Sequence, residues 1–427
     1  MGAFGQSWNS LRIDTSSYQA FQNGEWKQVL NIANEAKKSK IDFYYLRLRT
    51  GWAAWNLKHT FRAAREYEKA MSFWSADTFS KEMLIRNLQF TGREAEAQRF
   101  YTNKRNPTFT YIGAEVGIVT THDRYAAPDY DLDGTDNIYG EQTVQKTLGY
   151  FNLQTRHQVS RKLFLKHIFT YLNINKEKQF AWGNLPYYSN AYSVKQFQYY
   201  IQGEYGINTW WKILPAYHFL QVQQSPEYSS SDSIRRIYSF SETKSNFVNS
   251  VVSLENRFTI YNFQPFIIAT WQNLNDSTQT QLTLGATWFP FGNRSQYLIS
   301  QGTLHTQNGN SKIIYSLIVG SKLLNHLSAE AGFTKGNIFN YTEWNGEMLY
   351  NVPDIIKLKA FITGKYSLKN KEWGITATYL NRERTSYKDT FLPPPAPGLP
   401  LPLKEVSTPH LHTQWGGVVS FKYYFNL

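Results

Sequence analysis

The run from Thr413 to Leu427 reads TQWGGVVSFKYYFNL. Trp415, Val419, Phe421, Tyr423, Phe425 and Leu427 alternate there with Gly416, Ser420, Lys422 and Asn426. Side chains on a strand point alternately to opposite faces, so this spacing predicts a strand with one apolar and one polar face.

The same period governs everything after Asn106-Pro107. In YIGAEVGIV, Ile112, Ala114, Val116 and Ile118 oppose Gly113, Glu115 and Gly117. In KQFQYYIQGEY, Phe197, Tyr199, Ile201 and Tyr205 oppose Gln196, Gln198, Gln202 and Glu204. IKLKAFITGKYSL sets Ile356, Leu358, Ala360, Ile362, Tyr366 and Leu368 against Lys357, Lys359, Thr363, Lys365 and Ser367. About fourteen such runs are legible, near 108–120, 144–157, 162–174, 191–205, 209–222, 244–256, 258–272, 279–289, 295–306, 312–324, 327–338, 355–368, 371–386 and 413–427. Their connections alternate between long and short, as in outer-membrane barrels. A bilayer cannot hydrogen-bond an open sheet edge, so strands that cross it must close into a barrel. The last strand is then expected to pair with the first, with its apolar face on lipid and Ser420 and Lys422 inside. Trp211, Trp271, Trp288, Trp373 and Trp415 suit the interfacial aromatic girdles. A soluble β-sandwich would leave so many apolar faces unexplained.

Composition fits. Aromatics make up 17% of the 427 residues, charged residues only 18%, and the mean hydropathy is -0.50. No run approaches the ~18 apolar residues of a membrane helix. The absence of cysteine excludes disulfides, thiolate metal sites and cysteine nucleophiles. The net charge of +13 is spread along the chain: residues 1–104 hold 16 Lys and Arg against 10 Asp and Glu. With no basic cluster, nucleic acid is not an expected partner; anionic lipid headgroups or an anionic substrate are.

Residues 16–103 carry helical periodicity with a 34-residue step. Gly24, Lys58 and Gly92 share one phase, Phe21 and Trp55 a second, Ala36 and Ala70 a third. In GWAAWNLKHTFRAAREYEKA, Gly51, Ala63, Tyr67 and Ala70 follow the small-small-aromatic-small pattern and spacing of a tetratricopeptide repeat. The segment resembles about two and a half such repeats, although Lys58 stands where glycine is usual. The resemblance implies a protein-docking groove, with Trp55 and Tyr67 as markers of a partner-binding domain. The expected divisions are residues 1–13 as signal-peptide remnant and linker, 14–104 as a periplasmic TPR-like domain, and 105–427 as the barrel. Ala3-Phe4-Gly5 has the form of a signal-peptidase site, so a longer reading frame encoding a signal peptide is expected.

Chemistry-bearing motifs are few. Asp129, Asp131 and Asp133 in DYDLDGTDN match the first half of a calcium loop, but Gly140 replaces the bidentate acid expected twelve residues in. Calcium in an outer loop and a plain acidic loop both remain open, and no motif requires a cofactor. Pro393 to Pro402 predicts extended backbone in the last long loop. Nine histidines show no metal spacing beyond His410 and His412, and no local motif selects a nucleophile and base. Lys357, Lys359, Lys365 and Lys422 are expected to line the lumen, partly paired by Glu115, Glu204 and Glu330. Such a stripe tunes passage or locks a closed barrel.

The expected fold is therefore a membrane β-barrel of about 14 antiparallel up-and-down strands preceded by a small all-α TPR-like domain. In architecture it resembles the Gram-negative exopolysaccharide exporters and the surface-lipoprotein assembly modifiers. That resemblance implies an outer-membrane barrel for transport or export, with the helices docking a periplasmic or outer-membrane protein partner. A closed scaffold barrel is the alternative, and a barrel enzyme acting on lipid or peptide the second.

Overall fold

The computed structural model describes residues 9–101, 109–123, 137–181, 188–232, 237–351, 354–391 and 403–425. Six helices come first: α1 (Ser10–Gln22), α2 (Trp26–Lys38), α3 (Tyr44–Asn56), α4 (Thr60–Phe73), α5 (Thr78–Phe90) and the short α6 (Glu94–Ala97). Helix starts at 10, 44 and 78, and at 26, 60 and 94, reproduce the 34-residue step. The shared phase of Gly24, Lys58 and Gly92 has a structural cause. All three sit in left-handed backbone, with φ of 70°, 63° and 70°. In each case the two flanking amides reach back to the helix just ended: Leu57 N–H to Ala53 O and His59 N–H to Ala54 O at the middle turn. This is the glycine-type closure of a helix C-terminus, repeated three times.

Lys58 is strained there, because an L side chain in this region costs roughly 1–2 kcal/mol. Lys58→Gly is expected to stabilise the helices by about 1 kcal/mol net of the added chain entropy. Hydrogen exchange of α3 and α4 amides in the full-length protein should slow about fivefold. Unchanged or faster exchange would remove the strain argument.

Gly51, Ala63, Tyr67 and Ala70 all lie in the core. A Cβ on Gly51 would stand 3.0 Å from the Tyr67 ring, so glycine is needed for α3 and α4 to approach. Tyr67 is fully buried and no docking partner reaches it; Trp55 is half-buried against Phe90, with ring centroids 5.4 Å apart. Tyr67 therefore serves helix packing, and Trp55 does so with part of its ring still exposed. The boundary expected at residue 14 also shifts. The Asn9 side chain accepts from Arg12 N–H at 2.8 Å, which caps a helix starting at Ser10, and Ile13 is already core.

The remaining chain forms β1 (Phe109–His122), β2 (Asn137–Ser160), β3 (Leu163–Ala181), β4 (Tyr188–Gly206), β5 (Trp211–Gln224), β6 (Glu227–Asp232), β7 (Ile237–Glu242), β8 (Ser245–Phe258) and β9 (Phe263–Leu274). They are followed by β10 (Ser277–Trp288), β11 (Gln296–Gln307), β12 (Asn310–Lys322), β13 (Leu327–Ile338), β14 (Tyr341–Glu343), β15 (Met348–Tyr350), β16 (Ile355–Leu368), β17 (Lys371–Phe391) and β18 (Leu403–Tyr424). Fourteen of them close a single antiparallel barrel; β6 with β7 and β14 with β15 are separate hairpins. β18 seals the sheet against β1, in register from Tyr111 opposite Tyr424 to His122 opposite Thr413.

Faces alternate as the period requires. Val116, Ile375 and Val419, on three neighbouring strands, are 58%, 69% and 60% exposed. Glu115, Gln196, Thr283 and Ser420 occupy the opposite face of their strands. An outward belt of Ile, Val, Leu, Phe and Trp around a closed sheet is the surface of a membrane barrel. Among the described residues no helix is long and apolar enough to cross a membrane.

One expectation fails by a single residue. A β-bulge separates Ile356 from Leu358. It places Lys357 and Leu358 consecutively on the outside, and turns Ile356 inward to pack with Ile314, Ile338 and Tyr341. Lys357 meets Asn337 at 3.2 Å and Glu383 at 3.1 Å near the outer rim. It does not line the lumen. The outward assignment of Ile356 falls with it.

Candidate functional site: the occluded lumen

The connections at the barrel end that carries the helices are all seven residues or shorter, and the opposite rim carries the long ones as well as the tight β9–β10 and β11–β12 turns. The connection from β13 to β16 does not stand out from that rim. It folds back into the lumen as the β14–β15 hairpin. The sequence NYTEWNGEMLY explains why it can. Trp344, Asn345 and Gly346 take φ of 55°, 56° and 84°, the left-handed run that Asn-Gly supplies for a tight reversal. Gly346 N–H then donates to Glu343 O at 3.1 Å, and Glu347 N–H to Trp344 O at 3.2 Å.

The turn descends deep into the barrel. Asn345 Nδ2 donates to Leu214 O at 2.8 Å, and Asn345 O accepts from Ser253 Oγ at 2.6 Å and Tyr200 O–H at 3.3 Å. The His218 Nδ1 lies 2.8 Å from Gly346 O; a carbonyl only accepts, so Nδ1 carries the proton. A side chain on Gly346 would meet Ser253 Oγ at 3.2 Å from its Cβ. Two ion pairs fix the hairpin. Glu343 binds Lys359 at 2.7 Å, with Tyr350 and Thr334 hydroxyls on the same carboxylate at 3.0 and 2.8 Å. Glu347 binds Lys166 of β3 at 2.5 Å. The first pair is buried, so removing either partner would strand the other charge and cost far more than breaking a surface pair.

The other expected lumen residues divide. Lys359 is inside and paired, with the hairpin and not with a barrel acid. Lys422 lies inside with its ammonium 5.5 Å from the Tyr111 ring centre. Lys365 is half-buried opposite Gly374. Glu115 accepts from Gln154 at 3.0 Å, and Glu330 accepts from the Tyr297 hydroxyl. Glu204 sits between Arg156 and Lys212, each at 2.8 Å. Arg156, Lys166, Lys212, Tyr200, His218, Glu343 and Glu347 are lumenal groups the sequence reading missed. The signal for the last two was present, since Asn-Gly between residues of strand propensity marks a hairpin.

The helices close on the other end. Arg156, facing the lumen, also binds Glu94 of α6 at 2.9 Å. Arg93 donates to Thr209 O at 3.1 Å, and burial pushes its guanidinium down to about 10, still charged at neutral pH. Burial raises the Glu96 carboxyl against the pull of Lys212. Phe61 N–H donates to Gly292 O at 3.1 Å, the Phe61 and Phe289 rings stand 4.8 Å apart, and Asn293 donates to Lys58 O at 2.9 Å. A Cβ on Gly206 would lie 3.2 Å from the Ala95 carbonyl, tight enough that α6 would have to shift by a few tenths of an ångström from the turn after β4.

Asp129, Asp131, Asp133 and the Pro393–Pro402 segment lie outside the described residues. Among the described residues, no group of three or more His, Asp or Glu is placed to hold a metal ion.

No protein-family profile matches the chain, and no curated protein matches it in sequence. Solved barrels resemble it distantly. The Pseudomonas putida toluene transporter TodX is 10% identical over 78% of this chain and 93% of its own, with a TM-score of 0.47. A Pseudomonas aeruginosa FadL homologue is 9% identical over 78% and 93%, with a TM-score of 0.46. The ferric-catecholate import receptor Fiu from E. coli K12 is 7% identical over 74% and 60%, with a TM-score of 0.33. Likeness at this level carries no argument about cargo, which rests on the residues above.

Proposed function

We propose that the protein is an outer-membrane transport barrel whose passage is gated by the β14–β15 hairpin, with the helical domain on the periplasmic side. One observation carries this. The lumen is filled by a folded-in loop held through ion pairs and hydrogen bonds, with one small apolar contact where Tyr341 packs on Ile314, Ile338 and Ile356. Buried polar atoms such as Nδ2 of Asn249 and Oδ1 of Asn345 have no hydrogen-bond partner among the described residues, which suits a hydrated interior. A purely structural barrel of this size has no need of a charged, detachable plug.

The helical domain supports a docking role. Its contacts with the barrel come from α2, α4, α6 and the turns at Lys58 and Arg93, while Tyr18 of α1, Tyr45 of α3 and Phe79 of α5 are exposed. Arg49 lies between the Tyr18 and Tyr45 rings, 5.2 and 5.8 Å from their centres. Arg49 is itself buried and paired with Asp14 at 2.7 Å, so the exposed face is an aromatic one, and it fits a periplasmic protein partner.

Planar-bilayer recording tests the transport reading. The wild-type protein is expected to conduct in brief openings, and Glu343→Gln with Glu347→Gln to lengthen them about tenfold or more, because each change leaves a lysine in the lumen without its counter-ion. A barrel silent in both forms is a scaffold.

A further inference from the structure

Above the hairpin, at the rim away from the helices, the lumen widens into a cavity of about 470 Å³, walled by β2, β3, β4, β5, β8 and β17. This is the size of a site for one small molecule. Two of its polar groups have no mate. Lys176 is buried and makes no hydrogen bond or ion pair with any described residue. Asn249, also buried, has an Nδ2 with no acceptor. The adjacent acid, Asp354, is turned to Arg382 and His412, at 3.6 and 3.8 Å. Both unmatched groups are donors, and the Lys176 ammonium has only the unbonded attraction of Asp354, which Arg382 and His412 share, to offset its charge. Beside them Ile174, Val194, Val222 and Phe247 form an apolar patch on the inner face of four neighbouring strands, where a water-filled barrel ordinarily presents polar side chains.

We propose that this chamber binds a small organic carboxylate, with its apolar body on Ile174, Val194, Val222 and Phe247 and its carboxylate accepting from Lys176 and Asn249. An ionised acceptor offsets the charge of Lys176. A neutral hydroxylated ligand would leave that charge unmatched and waste the apolar wall. Occupancy is an equilibrium property of the chamber and stands whether or not the lumen conducts.

Calorimetric titration of the full-length protein in detergent decides it, with phenylacetate, 2-phenylethanol, acetate and glucose as probes. Phenylacetate is expected to bind, 2-phenylethanol about tenfold more weakly, and acetate and glucose not measurably. Lys176→Met should weaken phenylacetate about tenfold and leave 2-phenylethanol unchanged, while Val222→Asn weakens both. Because Lys176 bonds to nothing, its replacement leaves the wall intact; heat-dependent gel mobility checks that both variants are folded. Absence of phenylacetate binding, equal affinity for its neutral analogue, glucose binding in its place, or indifference to Lys176→Met in a folded barrel would each overturn the proposal.

Discussion

Excising residues 341–350 and joining the flanks with two glycines is expected to leave a folded barrel that conducts continuously in planar bilayers. The strand pairing does not depend on the hairpin, whose buried apolar contact covers only Ile314, Ile338 and Ile356 of the inner face: β13 pairs with β16 directly, from Leu327 opposite Tyr366 to Ile338 opposite Ile356. What depends on the hairpin is the blockage. Its removal takes away the Glu343–Lys359 and Glu347–Lys166 pairs together with the backbone ties of Asn345 to β5 and β8. Lys359 and Lys166 then face water, so their desolvation is relieved as their partners are lost. Breaking one buried pair without hydration costs about 3–5 kcal/mol. Even a third of that moves a closed-to-open equilibrium roughly tenfold. A deletion variant that shows heat-dependent gel mobility yet stays electrically silent would place the blockage elsewhere, at α6.

The second large effect concerns the closing strand. A chain ending at His412 is expected to yield no heat-modifiable barrel at all. The missing residues serve two neighbours at once: Thr413 to Tyr424 pair with β1 on one side, and Thr413 to Tyr423 with β17 on the other. Two open edges in hydrocarbon leave a row of unsatisfied amides and carbonyls that no lipid can match. A milder change grades the same idea. Val419→Lys points a cation into lipid and should destabilise the barrel by about 2–4 kcal/mol near mid-membrane, read as a fall in the urea midpoint of folding into vesicles. The neighbouring Ser420→Lys, on the inner face, should cost far less. Equal penalties at 419 and 420 would mean that the two faces are not distinguished by solvent.

The barrel was legible because its signal is redundant. A period of two was visible in most of the fourteen runs, though poorly at 144–157 and 162–174, and each of the fourteen is a barrel strand. The helical step was legible for a similar reason, since the three turns that share φ near 65° need the same kind of residue at the same phase. What escaped notice lies where periodicity is interrupted. Extrapolating the alternation through IKLKAF assigns Lys357 inward, and a single bulged residue reverses it. The inward course of the β13–β16 connection was not legible, because loop position is set by what the loop can bond to. Its partners, Leu214, Ser253, Lys166 and Lys359, are far from it in sequence. Tyr67 shows a third limit: an aromatic on a repeat is read equally well as core or as contact, and only the approach of Gly51 decides between them.

The central claim is that the outward faces of these strands meet lipid. The chain has no cysteine, so single cysteines at 116, 375 and 419 can carry spin labels without background. In reconstituted vesicles all three labels should collide with dissolved oxygen and hardly at all with an aqueous nickel chelate. Collision with the nickel chelate at all three would mean that water, not hydrocarbon, surrounds the barrel.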